Sequence, residues 1–434
     1  MLSEDLIVRR RRVLRGLRQY YDLPFHPIRG EGCWLYDVEG RKVLDAYNNV
    51  PHVGHCHPHV VEAICRQVRE LNTNTRYLFE PIVEYAEKLV ATMPDGLDAC
   101  IFTCTGSEAN DLAWRLASNF SGNTGVITSE NAYHGNTTFL DQIDGSSTKA
   151  RRENPNWWIR VPAPPARQSG DAREDKVAAV AYAGQCASAV AELIGRGHPP
   201  AAFYFESLFC TDGIRVPRPG FMGEAISKVR EVGGLIIVDE VQAGLARCGT
   251  DWWAFQNLGV EPDIVVMGKP MGNGLPVGVV VARHEIVDAF YARDRYFNTF
   301  AGNPVCCAAG IAVLEVIERE QLKLNALRIG TLLKRKIEGL MERHPNIGGV
   351  RGRGLLLGIE LVIDQSTMTP ASRQARWVIN EMCRRGVLVG LTGPDRNARN
   401  ILKVRPPLVF DEHAVDVFMT TLDAVLADLP SRLE

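Results

Sequence analysis

Short apolar runs alternate along this chain with longer stretches in which apolar residues recur every three or four positions. Between about residues 56 and 310 the apolar runs fall at 99–103, 125–128, 202–205, 235–238, 264–267 and 277–281. Each is four or five residues long and bounded by glycine, proline or polar residues, which reads as a strand. Helical periodicity fills the intervals, as at 107–119 and 176–194. Alternation at this spacing predicts a mainly parallel sheet flanked by helices, an α/β domain. Ahead of it, 1–55 predicts a helix and then a hairpin, with runs at 33–36 and 42–45 around the turn Asp37-Val38-Glu39-Gly40. Behind it, 311–434 predicts a long helix, short strands at 355–360, 387–389 and 401–404, and a closing helix at about 412–429. That last part is expected to form a smaller α+β unit.

Composition narrows the options. At 434 residues the chain is too long for one small core. A net charge of −2 argues against a nucleic-acid partner. The run Arg9-Arg10-Arg11-Arg12 reads as the solvated face of the first helix. No apolar stretch is read as long enough to span a bilayer, and Glu4 and Asp5 with no apolar core after them argue against a signal peptide. Eleven cysteines, several inside apolar runs (Cys100, Cys104, Cys306, Cys307), suit buried free thiols in a reducing compartment. The expected location is cytoplasmic, with no membrane partner.

Two charged residues stand at the ends of predicted strands. The run 235–238 delivers Asp239, and 264–267 delivers Gly268-Lys269 into the loop Pro270-Met271-Gly272-Asn273-Gly274. A lysine at one strand end and an acid at another suit pyridoxal phosphate, the lysine forming a Schiff base and the acid keeping the pyridine nitrogen protonated. The plainer alternative is two ordinary charges on the rim of an α/β sheet. Thr105-Gly106-Ser107-Glu108 follows a strand and opens a helix, so Gly106 and Ser107 could hold a phosphate, or Ser107 could simply cap the helix. Tyr133-His134-Gly135 offers an aromatic face for a ring, and Gln242 an amide donor three residues past Asp239. Gly268-Lys269 is not a P-loop, since Asp263 stands where its first glycine belongs and Pro270 where a hydroxyl is needed. The glycines at 352, 354 and 358 miss the dinucleotide spacing by one. His52, His55, His57 and His59 look like zinc ligands by composition.

Taken in order, these motifs resemble the class III (ω-amino acid) aminotransferases, a pyridoxal-phosphate-dependent family of fold type I. The pieces that carry the resemblance are Thr105-Gly106-Ser107-Glu108-Ala109-Asn110, Tyr133-His134-Gly135, Asp239-Glu240-Val241-Gln242, Gly268-Lys269 and Phe297-Asn298-Thr299-Phe300-Ala301-Gly302-Asn303-Pro304. The resemblance implies a large domain around a mainly parallel seven-stranded sheet (56–310), and a smaller α+β domain built from both termini (1–55 and 311–434). It further implies that Lys269 carries the coenzyme, Asp239 faces the pyridine nitrogen, Tyr133 stacks on the ring, and Gly106 and Ser107 hold the phosphate. His134, Glu206 and Gln242 belong to the same coenzyme set, and Thr299 would reach the coenzyme of a partner subunit in a homodimer with shared active sites. The family carries a similar histidine stretch without metal, so no metal site is expected.

A finer resemblance is to the lyases acting on ethanolamine phosphate and phosphohydroxylysine. It rests on Asn48-Asn49-Val50, on 71–77 including Arg76, on Glu206-Ser207, on 268–274 and on 393–397 including Arg396. Many aminotransferases carry Glu-Pro-x-x-Gly-Glu, whose second glutamate gates an arginine between two differently charged substrates. Here Glu206-Ser207-Leu208-Phe209-Cys210-Thr211 lacks that carboxylate. A phospho-lyase would use freed Lys269 as the base that takes the proton from the carbon bearing nitrogen, and phosphate would leave from the next carbon. Arg76 is the first candidate for that phosphate, then Arg405 and Arg396, and Asn49 in the branch motif itself is a further substrate-binding candidate; each arginine has a surface or interdomain ion pair as its alternative. The competing readings are an ω-amino acid aminotransferase using pyruvate or glyoxylate, and a catalytically silent scaffold.

Overall fold

The computed structural model describes residues 2–17, 19–147, 153–166, 171–393 and 398–430. Arg396 lies outside them. Pro27–Glu31 (β1), Trp34–Asp37 (β2) and Lys42–Asp45 (β3) form an antiparallel meander, in which Trp34 pairs with Leu44 across the expected turn. The central sheet follows: Ala99–Thr103 (β4), Gly125–Ser129 (β5), Trp158–Val161 (β6), Pro200–Glu206 (β7), Leu235–Asp239 (β8), Ile264–Met267 (β9) and Gly278–Ala282 (β10). Its seven strands lie in the order β4-β10-β9-β8-β7-β5-β6. β10 runs antiparallel to both neighbours, and β5 to β9 are mutually parallel. The strand β6 is absent from the sequence reading, because Arg160 interrupts the short apolar segment Trp158-Ile159-Arg160-Val161.

β7, β8, β9 and β10 are buried along their whole lengths because helices cover both faces of the sheet. On one face, the helix Gly106–Ser121 buries Ala109, Leu112, Ala113, Leu116 and Ala117, one stripe at helical spacing, against β7 to β10. On the other lies Ala172–Gly195, a helix of 24 residues long and apolar enough by composition to cross a membrane, contrary to the sequence reading. Its Tyr182, Cys186, Ala189, Val190 and Leu193 are buried, packed with Gly223–Arg230 over β5 to β7, which marks it as a covering helix of this domain.

The remaining strands come from the C-terminal part: Ile347–Arg353 (β11), Leu356–Asp364 (β12), Thr369–Pro370 (β13), Val387–Leu388 (β14), Gly390–Thr392 (β15) and Ile401–Val404 (β16). β14 adds in parallel to β3, so one four-stranded sheet joins the two ends of the chain. β11, β12, β16 and β15 form an antiparallel sheet beside it. The fold is α/β with a mainly parallel central sheet and a smaller α+β part from both termini. All eleven cysteines are free thiols.

Candidate active site

Strand register builds the site. Glu206 pairs with Asp239 and Asp239 with Val266, so the carboxyl ends of β7, β8 and β9 lie side by side. That edge is where open parallel sheets bind ligands. Lys269 enters it two residues past β9, in a 3-10 turn, Lys269–Met271. Its φ of +26° is rare for a residue with a side chain, a strained backbone at a functional position. The Lys269 amine reaches a cavity of about 100 Å³ whose walls include Ser107, Tyr133, Asp239, Val241 and Gln242. Lys269 remains accessible through that cavity, yet protein surrounds it closely enough for desolvation to lower its pKa below the usual lysine value. Arg405 lowers it further, and Asp239 and Glu206 oppose the shift.

Asp239 is buried and fully gripped. Its Oδ2 accepts from His134 Nδ1 at 2.9 Å and from Asn110 Nδ2 at 3.0 Å, and its Oδ1 accepts the Val241 N–H at 2.9 Å. The Asn110 carbonyl oxygen accepts from the Tyr204 hydroxyl, and the Tyr204 ring stacks on His134 at 4.3 Å. Asn110 has no role at the site in the sequence reading. Its signal was there: a polar amide at a position inside the buried stripe of its helix.

The phosphate loop differs from a plain serine cap. Thr105 is the cap residue, its hydroxyl accepting the Glu108 N–H at 3.1 Å while Glu108 Oε2 accepts the N–H groups of Thr105 and Cys104. Ser107 is thereby free of capping. It lies inside the first turn with Gly106, where helix N–H groups have no intrahelical acceptor. A Cβ on Gly268 would lie 3.0 Å from the Gly106 Cα. One on Gly135, whose φ is +148°, would lie 2.7 Å from Ser107 Oγ. Three backbones therefore converge on a helix N-terminus, a cradle for a phosphate. With an aromatic wall from Tyr133, a gripped carboxylate and a lysine opposite, the residues fit pyridoxal phosphate.

The substrate side is set by Gln242. Its Nε2 donates to Glu206 Oε1 at 2.8 Å, and its Oε1 accepts from Arg405 NH1 and, at 3.4 Å, from Lys403 Nζ. Cations on one side and a carboxylate on the other fix the amide orientation. Glu206 also accepts the Thr211 N–H at 2.7 Å, and burial, aided by Asp239, raises its pKa. Arg405 Nε donates to the Tyr47 carbonyl at 3.1 Å, and the guanidinium lies 4.7 Å over the Tyr47 ring. Lys403 escaped the sequence reading altogether. It is buried, and desolvation, then repulsion from Arg405, pushes its pKa down to about 7.

Other sequence candidates lie elsewhere. Arg76 is exposed, its guanidinium 4.4 Å over the Phe297 ring, and Thr299 is exposed on the same segment as Phe297. Asn49 is buried, and its Nδ2 finds no acceptor among the described residues. The four histidines disperse: His52 to the Leu245 carbonyl, His55 to Asp45, His57 to Glu320 and His59 to Glu315. A larger hollow of about 710 Å³ lies at the opposite edge of the sheet, beside Arg230, Leu235, Asp263 and Arg283. There Asp263 faces both arginines, and the chemistry belongs to the smaller cavity.

The family model for class III aminotransferases matches residues 17–426. The chain belongs to the class III aminotransferase family. It is 38% identical over 444 residues to ethanolamine-phosphate phospho-lyase homolog 1 of Caenorhabditis elegans, covering 98% of this chain and 93% of the relative. It is likewise 38% identical over 425 residues to an alanine–glyoxylate aminotransferase 2-like protein of Drosophila melanogaster, covering 96% of this chain and 85% of the relative. Among solved structures, a phospholyase from Arthrobacter in complex with phosphoethanolamine superposes with a TM-score of 0.93 at 39% identity, covering 98% of this chain and all of that one. Like the rest of its class III family, the protein is a pyridoxal-phosphate-dependent enzyme of fold type I.

Proposed function

We propose that this enzyme is a phospho-lyase that eliminates phosphate from a phosphorylated primary amine such as ethanolamine phosphate, yielding acetaldehyde, ammonia and phosphate with uptake of one water. The observation that carries the reading is the uncompensated positive charge of the substrate side. Arg405 and Lys403 meet on an amide oxygen, no carboxylate among the described residues pairs with Arg405, and Thr211 stands where a gating glutamate would be. A two-substrate aminotransferase needs its arginine neutralised for one half of the cycle; an enzyme whose one substrate ends in a phosphate dianion needs it free. Two cations on that dianion would contribute roughly 3–6 kcal/mol, at ~1.5–3 for each charged hydrogen bond. Similarity to the phosphoethanolamine-bound phospholyase supports the same substrate class.

Pyridoxal phosphate, when bound, supplies the electron sink that makes the carbon bearing nitrogen acidic. The chain supplies the rest. Asp239, oriented by His134 and Asn110, holds a proton on the ring nitrogen. Lys269, with its lowered pKa, takes the proton from the substrate carbon. Arg405 and Lys403 hold the phosphate as its C–O bond breaks, and the bound dianion favours the charged form of Lys403.

The ω-amino acid aminotransferase reading draws support from the alanine–glyoxylate aminotransferase-like relative. Phosphate release from ethanolamine phosphate without any keto acid supports the lyase; consumption of pyruvate that depends on an amine, with no phosphate released, overturns it.

A homodimer belongs to the same proposal. Tyr77, Leu78, Phe297 and Phe300 are exposed together with Arg76 and Thr299, an apolar face suited to a second copy. A second subunit there would receive Arg76 and Thr299 at its own site. Sedimentation at twice 48.0 kDa is expected, and a monomer at micromolar concentration overturns it. Eleven free thiols favour the cytoplasm.

A further inference from the structure

Arg247 is a buried guanidinium with no part in the chemistry described so far. It is 1% exposed and pairs with no carboxylate among the described residues, Asp45 adding only a weaker attraction than the Arg405 repulsion. NH1 donates to the carbonyls of Leu355 at 3.0 Å and Pro406 at 2.7 Å, and NH2 donates to His52 Nδ1 at 3.0 Å. A guanidinium has donors only, so Nδ1 must be the accepting nitrogen and the ring proton sits on Nε2, which donates to the Leu245 carbonyl. Burial, and then the charge of Arg247, holds His52 well below its usual pKa, in keeping with a neutral ring.

Three parts of the chain meet at this guanidinium, and each carries one wall of the substrate pocket. The loop after Asp239 and Gln242 brings Arg247 itself. The turn at Leu355 leads into β12, which pairs with β16, and β16 and the residues just after it bring Lys403 and Arg405. The segment with His52 brings Tyr47, on whose carbonyl Arg405 rests. Backbone bonds join the same pieces: Leu355 N to Arg247 O at 3.0 Å, Leu408 N to His52 O at 2.7 Å and Arg405 N to Ala46 O at 2.9 Å. The fit leaves no slack, since a Cβ on Gly354 would lie 2.3 Å from the Arg247 carbonyl oxygen.

Burying a charge without a counter-ion costs several kcal/mol, and an apolar residue of similar volume would fill the space without that cost. We infer that Arg247 is a positioning residue for the anion pocket: its fork grips the carbonyl of Pro406, the residue after Arg405, and with His52 fixes the Arg405 arm where the substrate phosphate is met. This inference rests on the phospho-lyase reading of that pocket. Burial and then Arg405 push the pKa of Arg247 down to about 9, so Arg247 stays charged at neutral pH and feels the Arg405 charge.

The test uses coenzyme-loaded enzyme carrying Arg247→Lys, Arg247→Met, His52→Leu or His52→Gln. Three quantities are read: KM and kcat for phosphate release from ethanolamine phosphate, the inhibition constant of inorganic phosphate, and the visible absorption of bound coenzyme. Both Arg247 variants should raise KM and the phosphate inhibition constant about tenfold or more, with kcat within about threefold and the absorption unchanged. Lysine keeps the charge and loses the fork, so it should fail as methionine does. His52→Leu should raise the same two constants, and His52→Gln, whose amide can accept from Arg247 and donate to Leu245, should restore them. The inference is overturned if Arg247→Lys keeps both constants within about threefold of the parent enzyme, if kcat falls while KM stays, or if His52→Leu behaves as the parent. Should the Arg247 variants not fold, the His52 pair decides. Failure of the parent enzyme to release phosphate fells the lyase reading instead; the clamp is then judged by KM for the carboxylate of an ω-amino acid, scored by the same thresholds.

Discussion

Lys403→Met should make the coenzyme-free enzyme more stable and a worse catalyst. Lys403 is 7% exposed, its amine touches Gln242 Oε1 at 3.4 Å, and the charge that acts on it most strongly is the like-signed Arg405. The gap between the ordinary lysine value of 10.5 and about 7 corresponds to a ceiling of ~5 kcal/mol, at about 1.4 kcal/mol per tenfold. Between those values the unfolded chain binds more protons than the folded one, so stability rises with pH through that window and the full penalty is felt below pH 7. Methionine has similar length and no charge, and removes the penalty. For 434 residues the unfolding entropy is about 0.9 kcal/mol per kelvin, at ~2.1 cal/mol/K per residue, so the ceiling translates to ~5 °C. Melting curves of both proteins from pH 6 to 10 should show the variant ahead at pH 6 and the gap shrinking towards pH 10. Saturating inorganic phosphate should close the gap at low pH, because the dianion stabilises a charged Lys403 in the parent alone. In steady-state assays the variant should raise KM for ethanolamine phosphate about ten- to hundredfold, the loss of one charged hydrogen bond. A variant that melts below the parent at pH 6, or a gap that does not change with pH, would refute the reasoning.

Lys269→Ala should abolish the visible absorption of bound coenzyme and lower phosphate release by about 10²–10⁴, and an unchanged spectrum would remove Lys269 from its role. Asp239→Asn keeps the shape but removes the negative charge and leaves one acceptor oxygen, which can serve either His134 and Asn110 or the Val241 N–H but not both; kcat should fall about 10- to 100-fold, and a value within twofold of the parent counts against the ring-nitrogen contact. Gly135→Ala places a methyl 2.7 Å from Ser107 Oγ at a φ of +148°. The coenzyme dissociation constant, measured by titration of the absorption band, should rise about tenfold or more, for ~1–3 kcal/mol of overpacking; normal affinity would show that the loop can relax.

Much of the catalytic edge was legible in order of residues alone. Apolar runs at 235–239 and 264–267 are short, uninterrupted and flanked by breakers, so Asp239 and Lys269 had to emerge at strand ends. Local chemistry also marked Gly106 and Ser107, although the cap belongs to Thr105 because Glu108 closes a reciprocal pair with it. What no local pattern held was partnership across the chain. Lys403 in Ile401-Leu402-Lys403-Val404 reads as a routine strand position, and becomes a low-pKa amine only where β16 sets it against Gln242 and Arg405. Asn110 is one amide in an apolar stripe until register brings Asp239 above it. Four clustered histidines suggested a metal, and the fold turns each to a different partner, His52 to a guanidinium nearly two hundred residues away. Periodicity is a property of neighbours in sequence and so determines elements and their ends. Desolvation and charge pairing depend on which elements pack together, and that the tertiary structure alone decided.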